Sequence, residues 1–80
     1  MQTKAYILIE TAVGESSTVV DSLKLIPGMR SVDPVTGPYD IIAIIEAPDL
    51  NAVGDIITSD IHTISGIIRT VTCLSLDPLG

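Results

Sequence analysis

Residues 39 to 47 decide the fold, and they read Tyr-Asp-Ile-Ile-Ala-Ile-Ile-Glu-Ala before Pro48 closes the run. A short run of β-branched residues that ends at a proline predicts a β-strand. Alternate side chains of a strand point to opposite faces of its sheet, and both sets are apolar here. We therefore expect this strand to lie in the centre of a sheet that is covered on both faces.

Three further strands are predicted around this one. Residues 4–11 and 67–76 are rich in β-branched and aliphatic residues, and they predict strands 1 and 4. Residues 29–36 predict strand 2, either at a sheet edge or bulged, because Pro34 lacks the backbone N–H that a central strand must donate. The run at 39–47 is then strand 3. In strand 4 we expect one face to carry Ile68, Thr70, Thr72, Leu74 and Leu76, and the other Ile67, Arg69, Val71, Cys73 and Ser75.

Two helices are predicted between these strands. Ser16 or Ser17 can cap the first, which ends at Pro27 and Gly28. Asp49 can cap the second, which ends near Gly66. The apolar stripes are Val19, Val20, Leu23 and Ile26 in the first helix, and Leu50, Val53, Ile56, Ile57 and Ile61 in the second.

This order is β-α-β-β-α-β, which predicts an α+β, ferredoxin-like fold. Right-handed crossovers place both helices on one face of a four-stranded antiparallel sheet, with strands 1 and 3 central. The opposite face is then uncovered by its own chain, although strands 1, 3 and 4 offer aliphatic side chains to it. We therefore expect a single domain over residues 1–80 that dimerises through the sheet, as in a dimeric α+β barrel.

Length and composition favour association in the same way. A chain of 80 residues buries only about 60% of its unfolded surface, which gives a thin core. Its single cysteine excludes an internal disulfide, and Cys73 with His62 supplies too few ligands for a structural zinc site. Other subunits remain as the source of added stability.

Charge and hydropathy exclude two classes of partner. The net charge is −6, and the four basic residues are scattered along the chain, which argues against direct binding of nucleic acid. No apolar run reaches the roughly 18 residues of a membrane span, and the N-terminus shows no signal-peptide cleavage site. We expect a cytoplasmic protein that does not bind membranes.

Two motifs resemble a known family. They are Val35-Thr36-Gly37-Pro38-Tyr39-Asp40 before strand 3, and Gly66-Ile67-Ile68-Arg69-Thr70-Val71-Thr72 in strand 4, with Pro27-Gly28 before strand 2. In this order and spacing they resemble the C-terminal ligand-binding (RAM) domain of the Lrp/AsnC family, over nearly all 80 residues. No helix-turn-helix precedes Lys4, so the resemblance is to a stand-alone form of that domain.

The resemblance implies a function linked to transcriptional regulation without direct DNA binding. Family members form dimers that assemble into octamers or similar rings, and amino acids or related small effectors bind between the dimers. Transferred to this chain, the ligand-binding residues are Gly37, Tyr39, Asp40, Thr70 and Thr72. A further hypothesis is co-assembly with full-length Lrp/AsnC regulators.

The chemistry of these residues fits an amino acid zwitterion. Asp40 can accept from the ammonium group, while loop N–H groups around Gly37 and the hydroxyls of Thr70 and Thr72 can donate to the carboxylate. A purely structural interpretation also stays open, because an aspartate before a strand often bonds its own turn and Tyr39 can simply pack.

Other reactive residues favour structural roles. His62 has no partner suited to acid-base chemistry nearby in sequence, and Cys73 is predicted to be a small buried hydrophobic residue. No catalytic or phosphate-binding motif occurs, so we expect no enzyme, no cofactor and no metal. Two alternatives remain: a small dimeric α+β barrel enzyme, with convergent polar residues on the core side of the sheet, and an ACT-like amino acid sensor, with ligand contacts near Gly14.

Overall fold

The computed structural model describes residues 2–76. The elements are β1 (Thr3–Thr11), α1 (Ser16–Leu23), β2 (Met29–Pro34), β3 (Ile41–Ala47), α2 (Leu50–Asp55), a π-helix that continues α2 (Ile56–Ile61), and β4 (Ile67–Leu74). The sheet has the order β2-β3-β1-β4 with antiparallel neighbours. The predicted ferredoxin-like α+β fold is confirmed, with strands 1 and 3 central. The predicted domain of residues 1–80 includes Met1 and 77–80, which lie outside the described residues.

One side of the sheet, the core face, lies against the helices and is fully buried in the central strands. The spacing of isoleucine and alanine in β1 and β3 places every second side chain there. The buried core consists of Ala5, Ile7, Ile9, Ile41, Ala43, Ile45 and Ala47 from the strands, and Val19, Val20, Leu23, Val53 and Ile61 from the helices. Thr11 is the one buried polar residue among those described.

The opposite side of the sheet, the open face, has no cover from residues 2–76. Its centre consists of Tyr6, Leu8, Ile42, Ile44 and Val71, which are all half-buried. Cross-strand partners share a face, and Leu8 lies opposite both Ile42 and Val71. The prediction of an apolar sheet face without cover is therefore confirmed for residues 2–76.

Helix α1 differs from its prediction at both ends. Glu15, and neither serine, occupies the N-cap position, and its side chain makes no capping bond. Ser16 instead lies within hydrogen-bond distance of Thr11, with 2.8 Å between the two hydroxyl oxygens. The helix ends at Leu23, and a tightened turn then brings the N–H of Ile26 to the carbonyl of Leu23 at 3.1 Å.

The second helix keeps its predicted cap and changes its pitch. Asp49 Oδ1 accepts from the backbone N–H of Ala52 at 2.8 Å, as predicted. Beyond Asp55 the chain widens into the π-helix, where the N–H of His62 donates to the carbonyl of Ile57 at 2.9 Å. Leu50 was predicted to belong to the apolar stripe of this helix, but in the structure it lies in the first turn and is 57% exposed. No helix in the described part of the chain is long and apolar enough to cross a membrane.

Two register shifts alter the predicted alternation of the edge strands. Between Met29 and Ser31 the pairing of β2 with β3 shifts, and between Glu10 and Thr11 the pairing of β1 with β4 shifts past Ile68. The second shift places Ile67 on the core face. The prediction that Ile67 shares a face with Arg69 is therefore wrong. The prediction that Cys73 is buried is wrong for this chain, because Cys73 lies exposed on an edge strand opposite Tyr6.

Gly66, which joins the π-helix to β4, has a backbone that only glycine adopts without strain. Its φ is +100°, and an added Cβ would lie 3.0 Å from Val19 Cγ2 and 3.1 Å from Glu15 Cβ. We expect Gly66→Ala to lower the free energy of unfolding by about 1–3 kcal/mol, measured by urea denaturation at a fixed protein concentration.

Gly54→Ala is the matched control, because Gly54 lies within α2 and an added Cβ there meets nothing within 4 Å. This variant should be stabilised by up to about 1 kcal/mol, the helix-propensity difference. Equal effects of the two substitutions would contradict the assignment of strain to Gly66.

Candidate functional site

The turn between β2 and β3 brings the first sequence motif against the end of β1. The backbone N–H of Asp40 donates to the carbonyl of Ile9 at 2.8 Å, and the N–H of Val35 donates to the carbonyl of Asp40 at 2.9 Å. Ile9 pairs with Ile41 on one side and with Thr70 on the other. Both motifs therefore flank the same end of the central strand, about two strand spacings, roughly 10 Å, apart.

Asp40 binds the end of β1 through its carboxylate. Its Oδ2 accepts from the Thr11 backbone N–H at 2.8 Å and from the Thr11 hydroxyl at 3.3 Å. That hydroxyl also contacts Ser16, so the network joins the turn, β1 and the first turn of α1. Asp40 is half-buried, and no described hydrogen bond uses its second oxygen, Oδ1. One carboxylate oxygen thus has a structural role, and the other stays available.

Tyr39 belongs to a second group, here called the Arg69 cluster, which consists of Glu10, Tyr39 and Arg69. The Arg69 guanidinium carbon lies 5.6 Å from the centre of the Tyr39 ring, and Arg69 Nη2 donates to the Tyr39 hydroxyl at 3.3 Å. Arg69 Nε lies 3.6 Å from Glu10 Oε1. Glu10 and Arg69 are cross-strand partners whose side chains alternate onto the open face.

Thr70 and Thr72 lie on the other side of the sheet. They pair with Ile9 and Ile7, so both point to the core face, at the edge strand. Thr72 is exposed, and the Thr70 hydroxyl oxygen lies 3.1 Å from His62 Nε2. Among the described residues, no hydrogen bond joins either threonine to the turn at 37–40.

Within one chain, the five predicted ligand residues therefore divide between the turn before β3 and the core-face side of β4. Gly37 lies exposed in the turn, Asp40 binds Thr11, and Tyr39 lies beside Arg69. Their role in ligand binding stays a prediction.

Arg69, Thr11 and the contact between His62 and Thr70 were not predicted from the sequence. A signal for Arg69 exists in the strand alternation, because it places Arg69 on the open face next to Val71. The bond from Thr11 to Asp40 spans 29 positions and has no local sequence signal.

Possible metal ligands and polar groups on the core face bear on the question of catalysis. Within residues 2–76, no group of three or more histidine, cysteine or acidic side chains could hold a metal ion. The core face, where a dimeric α+β barrel enzyme would place convergent polar groups, is aliphatic in the central strands and carries Thr70 and Thr72 at the edge strand, and Thr11 is its one buried polar residue in the described chain.

Comparison with known proteins identifies relatives over almost the whole chain. Residues 4–79 match the family described as the Lrp/AsnC ligand binding domain. An uncharacterized HTH-type transcriptional regulator of Pyrococcus abyssi is 31% identical over 78 residues, which are 94% of this chain and 52% of that protein. A homocitrate synthase of Sulfurisphaera tokodaii is 36% identical over 61 residues, which are 76% of this chain and 13% of the enzyme. The chain thus spans about half of the regulator and a small segment of the enzyme.

Solved structures share the fold. The protein TTHA0845 of Thermus thermophilus superposes with a TM-score of 0.90 at 27% identity, and the match covers 98% of both chains. A transcriptional regulator of Neisseria meningitidis, solved as a complex with L-Met, superposes with a TM-score of 0.85 at 16% identity. That match covers 98% of this chain and 52% of the regulator.

The network at Asp40 predicts a loss of stability on truncation. Asp40→Ala leaves the N–H of the buried Thr11 without its partner, so we expect the free energy of unfolding to fall by about 1–3 kcal/mol. Asp40→Asn keeps an acceptor oxygen, so the free energy of unfolding of this variant should fall by less. Urea denaturation measures both.

Asp21→Ala, at an exposed position of α1, is the control and should change stability by no more than about 0.5 kcal/mol. An Asp40→Ala protein as stable as the control would show that the carboxylate does not hold β1.

Proposed function

The chain belongs to the Lrp/AsnC ligand-binding domain family, and from this premise we propose that it is a non-enzymatic regulatory module that binds a small amino acid effector between copies of itself. The observation that supports this most strongly is the uncovered apolar face of its sheet. A domain whose sheet has one bare aliphatic side gains stability when a second copy covers that side.

The distribution of charge favours a second copy of this chain as the cover. The open face carries Lys4, Arg30 and Arg69 together with Glu10, Asp33 and Glu46, and is neutral. The rest of the described chain carries one basic residue, Lys24, and six acidic residues: Glu15, Asp21, Asp40, Asp49, Asp55 and Asp60. Two copies can therefore approach through their open faces without net repulsion, whereas their helix sides repel each other. The proposed dimer then assembles into an octamer or a similar ring.

Effector binding would act by linkage. The turn at Gly37, Tyr39 and Asp40 lies at the end of β1, and the hydroxyls of Thr70 and Thr72 lie along the neighbouring edge strand. A neighbouring copy would close the site over them. A ligand bound across such a contact favours the assembly in which the contact is complete, so its concentration sets the state of assembly. The Neisseria regulator, which was solved with L-Met, supports an amino acid as the class of effector.

We propose that the module affects transcription through other subunits. A net charge of −6 disfavours direct contact with DNA, so the proposed partners are full-length Lrp/AsnC regulators that carry their own DNA-binding segment. Affinity purification from the source cells with this chain as bait tests the proposal. Recovery of homo-oligomers alone would remove it.

The match to a homocitrate synthase favours a second candidate. A segment of that enzyme resembles this chain over 61 residues, so a related domain occurs in a biosynthetic protein. The alternative is that this module regulates a metabolic enzyme. The same purification distinguishes the two by the identity of the recovered partner.

Substitution in the centre of the open face should break the dimer. Ile44→Lys places a charge within the apolar patch, so we expect a mass below that of the wild-type assembly in sedimentation velocity, and lower thermal stability. The control is Leu25→Lys, because Leu25 is 84% exposed and lies outside the sheet. Its mass should equal that of the wild type. An Ile44→Lys protein of wild-type mass would contradict assembly through this face.

A screen of the twenty amino acids tests the effector class. At least one should raise Tm, bind in calorimetry and change the mass measured by light scattering. Asp40→Ala should weaken that binding, whereas Asp21→Ala should not. Unchanged affinity in a correctly assembled Asp40→Ala protein would remove Asp40 from the site, and a screen with no binder would contradict the effector class itself.

A further inference from the structure

We propose that Lys4 of each copy forms an ion pair with Glu10 of the other when two open faces meet, and that these two reciprocal pairs decide which related chain this one accepts as a partner. The inference rests on the proposed function, which supplies the contact through the open face. The positions of the charged groups on that face carry it.

The central strand β1 carries an apolar band between two opposite charges. Because alternate residues of a strand share a face, β1 presents Lys4, Tyr6, Leu8 and Glu10, in this order, on the open face. Each charge lies three residues, about 10 Å, from the midpoint between Tyr6 and Leu8. The neighbouring strands continue the band with Ile42, Ile44 and Val71. The band is therefore centred on β1, and its two ends carry charges of opposite sign.

This symmetry favours one arrangement of two copies, in which a two-fold axis runs across the strands. Each β1 then lies antiparallel on β1 of the second copy. With the axis at the centre of the band, Tyr6 faces Leu8 of the second copy, and Lys4 faces Glu10, each contact occurring twice. Packed sheets lie about 10 Å apart, a gap that a lysine and a glutamate side chain span together. Apolar groups thus meet apolar groups, and each of the two charges meets its opposite.

The other two-fold arrangement, with the axis along the strands, fits the side chains less well. It places β4 on β2 of the second copy, and Val71 then faces Asp33, because both lie in the same row of the sheet as Leu8. A carboxylate set against an apolar side chain loses hydration without gaining a partner. Glu10 then faces the turn at 35–40, which carries no basic residue. The arrangement across the strands instead places Asp33 opposite Ser31, a polar residue.

Lys4 and Glu10 are available for contacts with a second copy. Within residues 2–76, Lys4 makes no ion pair, and its cross-strand partner Glu46 is held by Arg30 at 2.6 Å. Glu10 lies 3.6 Å from Arg69 Nε, and its side chain is 40% exposed. So long and exposed an ion pair contributes little. A lysine that approaches Glu10 from another copy therefore displaces mainly water.

The reciprocal pairs make the contact selective. A second copy of this chain presents the opposite charge at both positions. A related chain with a basic residue in the place of Glu10, or an acidic residue in the place of Lys4, presents a like charge. Like charges brought together at an interface weaken association, so such a chain is rejected. The apolar band alone does not discriminate, because its side chains can pack against any similar face.

Two charge reversals, Lys4→Glu and Glu10→Lys, test the pairs. Alone, each variant brings like charges together twice, so its assembly should require a protein concentration at least about tenfold above that of the wild type. Mixed in equal amounts, the two variants should recover most of this loss as heterodimers. In a heterodimer the introduced glutamate faces the introduced lysine, and the native pair remains in the other contact. Sedimentation velocity measures assembly, and native mass spectrometry measures the heterodimer fraction.

The neighbours of each position within its own chain are the same in the mixture and in the separate samples, so recovery reports the contact between chains. A variant that is unfolded alone is mixed with the other before refolding. The matched controls are Asp21→Lys and Lys24→Glu, which reverse exposed charges on the helix side. Each should assemble like the wild type, and mixing them should change nothing.

Two results would overturn the ion pairs: wild-type assembly of each open-face variant alone, or a mixture without recovery. If Ile44→Lys still dissociates the protein in that case, the proposed function stands and only the assignment of Lys4 and Glu10 fails. A wild-type protein that is monomeric at every concentration would remove both.

Discussion

A four-stranded sheet has two faces, and two short helices can cover only one of them. This constraint shapes the whole molecule. On the core face, alternate residues of β1 and β3 are fully buried against α1, α2 and the π-helix. On the open face, the same strands present Leu8, Ile42 and Ile44, which remain half-exposed in a single chain. The segregation of charge follows the same division, with a neutral open face and an acidic helix side.

The topology also explains where the candidate site forms. Because β1 lies between β3 and β4, the turn that precedes β3 and the bulge at the start of β4 reach the same end of one central strand. Asp40 fixes the turn through Thr11, and this bond leaves Tyr39 beside Arg69. Structural bonds within the chain thus position groups that face outward, where a neighbouring copy would contact them.

The sequence predicted the order of the elements because its periodicity is strong. The isoleucine run of β3 identified a central strand, and Pro34 identified an edge. Pro34 also allowed a bulge in strand 2, which the structure has at Arg30, but the bulge at Ile68 was not predicted, since it depends on one residue that the partner strand leaves unpaired. At the start of α1, Ser16 makes a tertiary contact with Thr11 and does not cap the helix, and no sequence pattern predicted the π-helix. For the candidate site, motif order indicated that the two motifs lie near each other, and both flank one end of β1, but the faces of Tyr39 and Thr70 depended on a register that no local pattern specifies.

The central claim is that the open face requires a second copy of the chain. Sedimentation equilibrium of the wild-type protein, diluted stepwise and followed by circular dichroism at each concentration, tests it most directly. The account predicts dimers or larger assemblies, whose dissociation on dilution is accompanied by loss of folded structure. A monomer that stays fully folded at every concentration would contradict it.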